Sequence, residues 1–237
     1  MTVTIFQSLI KKEALHIVRD RRTMIITLVM PLVLLLLFGF AISMEINDVR
    51  VALVADSHTP QTREIVSEKE TGTMDLLLVS PVRPGTIIFG KLVPYFLLSC
   101  VLSGIMLLLA YTVLGLPVSY TIVSVVVVSM LYVVLSLAIG LLVSTIVSNQ
   151  VSALIVSAVL FMLPVIMLSG MIFPIDNMPA FFRWVSCVIP ARWYIEAMRK
   201  LMIQQLDFQY ILQEFFILLG MTVLLLVLSI KKFNAKH

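Results

Sequence analysis

The sequence predicts an all-α, polytopic membrane protein with five apparent transmembrane helices, and three observations carry that expectation. Hydrophobic residues make up 60% of the 237-residue chain and charged residues only 13%, against roughly 45–50% and ~25% in soluble globular proteins. Residues 92–175 contain no Asp, Glu, Lys, Arg or His. The cations gather instead towards the ends, with Lys11, Lys12, Arg19, Arg21 and Arg22 at the front and Lys231, Lys232 and Lys236 at the back. A soluble fold of this size cannot hide so much apolar surface. The composition therefore excludes a cytosolic enzyme, a disordered regulator and a secreted disulfide scaffold. The net charge of +4 reads as membrane-flanking cations and not as a nucleic-acid surface, because no basic stripe interleaved with aromatics is present. Cys100 and Cys187 have no metal or redox spacing and read as small packing residues.

Residues 5–22 open the chain as an amphipathic helix. Ile5, Phe6, Leu9, Ile10 and Ile17 fall on one side while Lys11, Lys12, Glu13 and Arg19 fall mostly elsewhere, so the helix is expected to lie flat on the cytoplasmic leaflet. Residues 23–44 carry no charge and span about 33 Å as a helix, enough for a hydrocarbon core of roughly 30 Å. That is longer than a signal-peptide core, so it reads as a retained anchor with its basic flank, and the N-terminus, in the cytoplasm. Residues 49–55 have the pattern of a β-strand beginning an extracytoplasmic unit.

The charge-free stretch 92–175 would be roughly 126 Å long as one helix and must fold back. Gly115-Leu116-Pro117 and Ser148-Asn149-Gln150 mark the turns, giving spans at 92–114, 119–147 and 151–173. A last span covers 209–230. Between the last two, residues 174–208 hold two amphipathic stretches, 180–188 and 191–205. Phe181, Phe182, Trp184, Trp193 and Tyr194 suit a membrane interface, so two short helices dipping into the outer leaflet fit, with an ordinary surface loop as the alternative.

Five crossings put the termini on opposite sides, yet both termini carry cytoplasmic cations. The conflict lies in 45–91. Residues 68–91 look cytoplasmic, but Glu45, Asp48, Arg50, Asp56, His58, Arg63 and Glu64 prevent 45–67 from crossing, at roughly 2.5–3.5 kcal/mol for each central Asp, Lys or Arg. Either a crossing is missing near Ser67 or the last helix ends outside. Displacement of the first helix resolves the conflict better than inversion of everything after Ser67, because several cytoplasmic signals oppose inversion.

Among chemical motifs, Gly85-Thr86-Ile87-Ile88-Phe89-Gly90-Lys91 matches the first part of a phosphate-binding loop but is followed by Leu92. A hydroxyl residue is needed there to ligate Mg²⁺, and no strand precedes it. His16, His58 and His237 are far apart and form no metal-ligand spacing. No nucleophile–base set or paired carboxylate is placed on a common surface, so no catalytic, cofactor or metal residues are assigned. The absence of charge in the three central spans argues against a proton relay, which leaves transport energy to come from another subunit.

The strongest local motif is Glu68-Lys69-Glu70-Thr71-Gly72-Thr73-Met74-Asp75-Leu76-Leu77-Leu78-Val79-Ser80-Pro81, a charged, Gly-broken start followed by a short amphipathic helix and a Pro stop. With Arg83-Pro84 and Gly90-Lys91 beyond it, this run resembles the cytoplasmic coupling element of type-2 ABC-transporter permeases. Ser169-Gly170-Met171-Ile172-Phe173-Pro174, Met178-Pro179 and Pro190-Ala191-Arg192-Trp193-Tyr194 resemble the re-entrant hairpin of the same family, and the amphipathic front resembles its elbow helix.

The resemblance implies one transmembrane permease domain over residues 1–237 of an ATP-driven exporter in a bacterial cytoplasmic (inner) membrane. It implies two partners besides lipid: an ABC ATPase subunit that binds the ATP and Mg²⁺, and a second permease chain, identical or not. Glu68, Lys69, Glu70, Gly72, Thr73, Met74 and Leu77 would receive the ATPase stroke. Ser169, Gly170, Pro174, Pro179 and Pro190 would shape the outer hairpin, and a drug-like or lipid-like substrate would leave the cytoplasm. In this family's drug- and lipid-export branch an extracytoplasmic domain and a second membrane helix precede the coupling motif. Here the chain passes directly from Ser67 to Glu68, as if both were deleted. Two rivals follow: a non-transporting remnant or assembly subunit, and an ion-coupled secondary transporter.

Overall fold

The computed structural model describes residues 2–43, 84–117, 120–147, 150–157, 159, 163–171 and 174–235, and every regular element among them is helical. The expected strand at 49–55 and the expected coupling residues 68–83 lie outside the described residues. Helix α1 covers Thr2–Arg19 and α2 Arg21–Ser43. They meet at Asp20, whose carbonyl accepts the Met24 N–H at 3.0 Å and so begins α2 as an N-cap does. Arg21 and Arg22 therefore open the apolar helix instead of closing the amphipathic one.

Helix α3 covers Pro84–Thr112 and so begins before the expected span, whose apolar part, Leu92–Thr112, starts where the sequence indicates. Pro84 suits a first helical position because its missing N–H has no partner there. Gly85 and Gly90 are isolated glycines, too weak to end a helix. The near-match to a phosphate loop is thus helical backbone. A turn follows in which Gly115 adopts φ +67°, and α4 runs over Ile122–Ile146.

The expected third span at 151–173 is described in part. Its described helical parts are α5, Gln150–Ser157, and α6, Leu163–Leu168. Pro164 has no N–H to donate to a preceding turn. Gly170, at φ +82°, turns the chain before 173 is reached. Then come a short 3₁₀ turn at Ile175–Asn177, α7 at Ala180–Ser186 and α8 at Pro190–Met198. A π-helical turn, Arg199–Ile203, and a 3₁₀ turn, Phe208–Ile211, lead into α9, Leu212–Ala235.

A few side-chain contacts fix the directions of these helices. Lys200 Nζ lies 2.7 Å from Glu214 in the first turn of α9, and Thr121 Oγ1 donates to the Leu201 carbonyl at 3.3 Å. The starts of α4 and α9 therefore lie together beside the π turn. Farther along, Ser229 Oγ donates to the Ala138 carbonyl at 3.3 Å, so α4 and α9 run side by side in the same direction. Helix α3 runs opposite to α4, with Cys100 Sγ 3.3 Å from Met130 Sδ between them.

The first turns of α3 thus lie at the other end of the bundle, and α1 packs there. A Cβ on Gly90 would stand 3.2 Å from Leu9 Cβ, so the close approach depends on glycine. Exposed Lys11, Lys12, Arg19 and Lys231 collect at this end. Glu13 corrects the expected amphipathic pattern. It is fully buried, because it follows Phe6 and Leu9 at helical spacing on the face turned to α3.

Among the described residues, three helices are long and apolar enough to cross a membrane: Leu92–Thr112, Ile122–Ile146 and Phe208–Ser229. A shorter apolar stretch, Met24–Leu36, lies within α2. The core joins Ala110 of α3, Val125, Val128 and Leu135 of α4, Leu201 of the π turn and Leu218 of α9. The buried side of α4 also carries Ser129, Ala138, Gly140 and Ser144, small residues that let membrane helices approach closely. Leu97, Val101 and Leu108 of α3, Val123 and Val127 of α4, and Phe216, Val223 and Leu224 of α9 face outward. That apolar exterior is the surface expected of helices in lipid, where no water penalises it.

Candidate functional site

The described residues from Ser169 to Ile211 form a hairpin packed on α4 and α9, and Ser169, Gly170, Pro174, Pro179 and Pro190 are all among them. Ser169 is 1% exposed and Gly170 turns the backbone at φ +82°. Pro174 and Pro179 are extended, at φ −56°, ψ 134° and φ −54°, ψ 149°, and stand immediately before the 3₁₀ turn and α7. Pro190 opens α8. Each proline sits where a fixed φ and a missing N–H cost nothing. Together they divide an apolar sequence into short helices. The structure brings Ser169 and Gly170 against the π turn, while Pro179 and Pro190 shape the far part of the hairpin.

The two limbs differ in how firmly they are held. On α8, Trp193, Tyr194, Ala197 and Met198 are buried in the core. The Tyr194 ring stacks on Tyr132 of α4, with centroids 4.1 Å apart and planes 10° from parallel, and its hydroxyl lies 3.4 Å from Ser129 Oγ. Tyr132 is roughly 15 Å along the α4 axis from its first residue at 1.5 Å per residue. On α7 and just beyond it, by contrast, Phe181, Trp184 and Val188 are 72%, 78% and 75% exposed. Apolar bodies with aromatic edges of this kind settle at a membrane–water interface.

Arg192 of α8 holds the end of α7. Its Nη1 donates to Ser186 Oγ at 2.6 Å, to the Arg183 carbonyl at 3.1 Å and to Cys187 Sγ at 3.1 Å. A cation placed there satisfies carbonyls left open at a helix C-terminus and opposes the dipole. Its guanidinium also stands 4.9 Å from the Trp193 ring centroid, and Trp193 Nε1 donates to the Cys187 carbonyl at 2.9 Å. Cys187 is therefore not only a packing residue.

The base of the hairpin carries the charges that sequence reasoning passed over. Arg199 Nη2 donates to the Gly170 carbonyl at 3.2 Å. Lys200 Nζ donates to Glu214 Oε1 at 2.7 Å, reaches the Tyr210 carbonyl at 3.5 Å and stands 3.8 Å from Glu196. The Glu214 side chain is 3% exposed. Removing one partner of such a buried pair costs about 3–5 kcal/mol, because the other charge is left uncompensated. The signal was present in the sequence, since Glu214 is a carboxylate beside a long apolar run and such residues face protein or a partner. What the sequence lacked was the partner.

Glu68, Lys69, Glu70, Gly72, Thr73, Met74 and Leu77 lie outside the described residues, so no geometry is assigned to them. Among the described residues no group of three His, Cys, Asp or Glu side chains could hold a metal ion.

The profile of the ABC-2 family transporter proteins matches residues 62–231, which include the Glu68–Leu77 segment, every helix from α3 onward and nearly all of α9. The chain belongs to the ABC-2 transporter family. "Probable multidrug ABC transporter permease YbhS" of Escherichia coli (strain K12) is 33% identical over 137 residues, covering 58% of this chain and 36% of that protein. "Probable multidrug ABC transporter permease YbhR" of the same strain is 27% identical over 158 residues, covering 67% of this chain and 43% of that protein. "ABC transporter G family member 20" of Dictyostelium discoideum is 24% identical over 191 residues, covering 78% of this chain and 26% of that protein. This ABC-2 chain thus matches under half the length of each of these curated relatives.

Proposed function

We infer that this chain is a transmembrane permease subunit of an ATP-binding cassette exporter, energised by a separate ATPase subunit that binds ATP and Mg²⁺. The carrying observation is the family match across residues 62–231, which unites the charged Glu68–Leu77 segment with the helical bundle and its hairpin. The printed names of the bacterial relatives, multidrug permeases, favour a drug-like or lipid-like substrate moved out of the cytoplasm. A second permease chain completes the transporter in this reading.

In the bilayer, α1 is the elbow helix on the cytoplasmic leaflet of a bacterial inner membrane. The spans are α3, α4, the α5–α6 segment and α9, with α2 displaced from a spanning position, and the hairpin is re-entrant from the outer face. The gathering of exposed Lys11, Lys12, Arg19 and Lys231 at the end opposite the hairpin supports that orientation, because cytoplasmic flanks collect cations. ATPase motion enters through Glu68, Lys69, Glu70, Gly72, Thr73, Met74 and Leu77. It reaches α3 directly, because Pro84 begins that helix just beyond the motif. Packing of α1 on the same first turns supports a cytoplasmic position for both.

A second reading is a non-transporting remnant or assembly subunit. It is favoured by the ionisable residues of 45–67, which leave no return crossing between α2 and the coupling segment. In that reading the loss of the extracytoplasmic domain and second membrane helix also abolishes transport.

Co-expression with an ABC ATPase subunit tests the assignment. The parent chain should co-purify with it and support ATP-dependent efflux. The Glu68→Lys/Glu70→Lys variant should insert normally but lose co-purification. Unchanged co-purification of that variant would remove the coupling assignment. Co-purification of the parent without stimulated ATPase or efflux would favour the remnant.

A further inference from the structure

The π turn Arg199–Ile203 places two consecutive cations on opposite parts of the hairpin base. Arg199 binds the Gly170 carbonyl, where the chain arrives, and Lys200 binds Glu214, where it leaves into α9. In an α-helix neighbouring side chains diverge by about 100°, and a π turn, rare outside functional sites, changes that spacing locally. The turn closes through Gln204 N–H to the Arg199 carbonyl at 3.1 Å and Leu206 N–H to the Lys200 carbonyl at 3.0 Å, with Gln205 at φ +54°. The backbone is thus held in an uncommon form at the two residues that carry the charges.

We propose that Arg199 and Lys200 form a two-pronged clasp that positions the outer hairpin, joining its arriving strand of chain to the last membrane helix. The clasp is electrostatically incomplete in a way ordinary core packing is not. Glu214 Oε1 accepts from Lys200, but Glu214 Oε2 is buried with no hydrogen-bond partner among the described residues. Lys200 keeps a second carboxylate, Glu196, at 3.8 Å, and its own side chain is 27% exposed. The lysine therefore has an alternative partner one helical turn away, and exchange from Glu214 to Glu196 releases the last helix without leaving the lysine unpaired. Ser169, buried beside the Gly170 carbonyl that Arg199 holds, would become accessible when the clasp opens. Lys200, Glu214 and Arg199 are positioning residues in this scheme. The scheme concerns how the hairpin is held and does not depend on transport.

The test uses the full chain in lipid nanodiscs, with Cys100→Ala and Cys187→Ala and a single probe, Ser169→Cys. The rate of maleimide reaction is normalised to a Thr112→Cys control at an exposed site. Lys200→Met and Glu214→Gln should each raise the rate at position 169 by roughly tenfold or more, the population change that loss of a charge-assisted hydrogen bond brings. Lys200→Arg should keep the parent rate. The double variant Lys200→Met/Glu214→Leu separates positioning from folding, because replacing both charges by apolar groups restores burial but not the directional tether. It should be as stable as the parent and still react faster, and it decides the matter if either single variant fails to fold. A parent-like rate in the double variant, or a rate in Lys200→Arg as high as in Lys200→Met, would overturn the proposal.

Discussion

Gly170→Ala should be among the most damaging small substitutions in the hairpin, and its cost has two separable parts. The backbone at Gly170 sits at φ +82°, where a residue with a Cβ pays about 1–2 kcal/mol. That Cβ would also stand 2.9 Å from Ile175 Cδ1 and 3.0 Å from Ile175 Cγ1. Cδ1 is the end of a flexible side chain, but Cγ1 is held closer to the backbone, so rotation alone does not clear both. Overpacking of this kind costs about 1–3 kcal/mol, for a total of about 2–5 kcal/mol. Gly115 supplies the control. It has φ +67° but nothing within 4 Å of a built Cβ, so Gly115→Ala should cost only the backbone part, about 1–2 kcal/mol. Unfolding of the full chain in mixed micelles, followed by the fluorescence of buried Trp193, measures both variants against the parent. Adding Ile175→Val to Gly170→Ala removes the 2.9 Å approach and should recover part of the loss, but none of the backbone strain. A Gly170→Ala cost no larger than that of Gly115→Ala would refute the packing argument.

Two further outcomes follow from the orientation. Asn177→Cys, in a chain lacking Cys100 and Cys187, should react on intact cells with a membrane-impermeant thiol reagent; protection until lysis would reverse the hairpin. Reporter fusions after Ser57, Arg83 and His237 should give cytoplasmic signals at Arg83 and His237, with α2 displaced from its spanning role. Extracytoplasmic signals at both would mean instead that everything after Ser67 is inverted.

Helix positions were largely legible because their punctuation is local. Gly115-Leu116-Pro117 ends α3, and Pro179 and Pro190 start α7 and α8, where the residue types place them. Lys91 lies inside α3, although the apolar span begins at Leu92 as expected, and Gly170 turns the chain before the expected third span is complete. Of the candidate site, the prolines and the glycine of the hairpin were readable. Arg199, Lys200 and Glu214 were not, because their meaning depends on residues far along the chain.

By itself the sequence determined the solvent and the family. An apolar run without a single Asp, Glu, Lys, Arg or His between residues 92 and 175 admits no aqueous fold, because each buried span must satisfy its own backbone in lipid. The Glu68–Leu77 motif and the hairpin prolines, read in order, point to the ABC-2 transporters that the family match then showed. Tertiary structure alone decided which charges lie inside. Glu13 is buried because α1 presses that face onto α3, and Glu214 because the hairpin returns beside α9 with Lys200 2.7 Å away. Nothing local distinguishes Glu13 from an exposed carboxylate, and the apolar run after Glu214 marks it as needing a partner without saying which. The free energy of a charge is set by what surrounds it in space, and those surroundings exist only once distant segments have met.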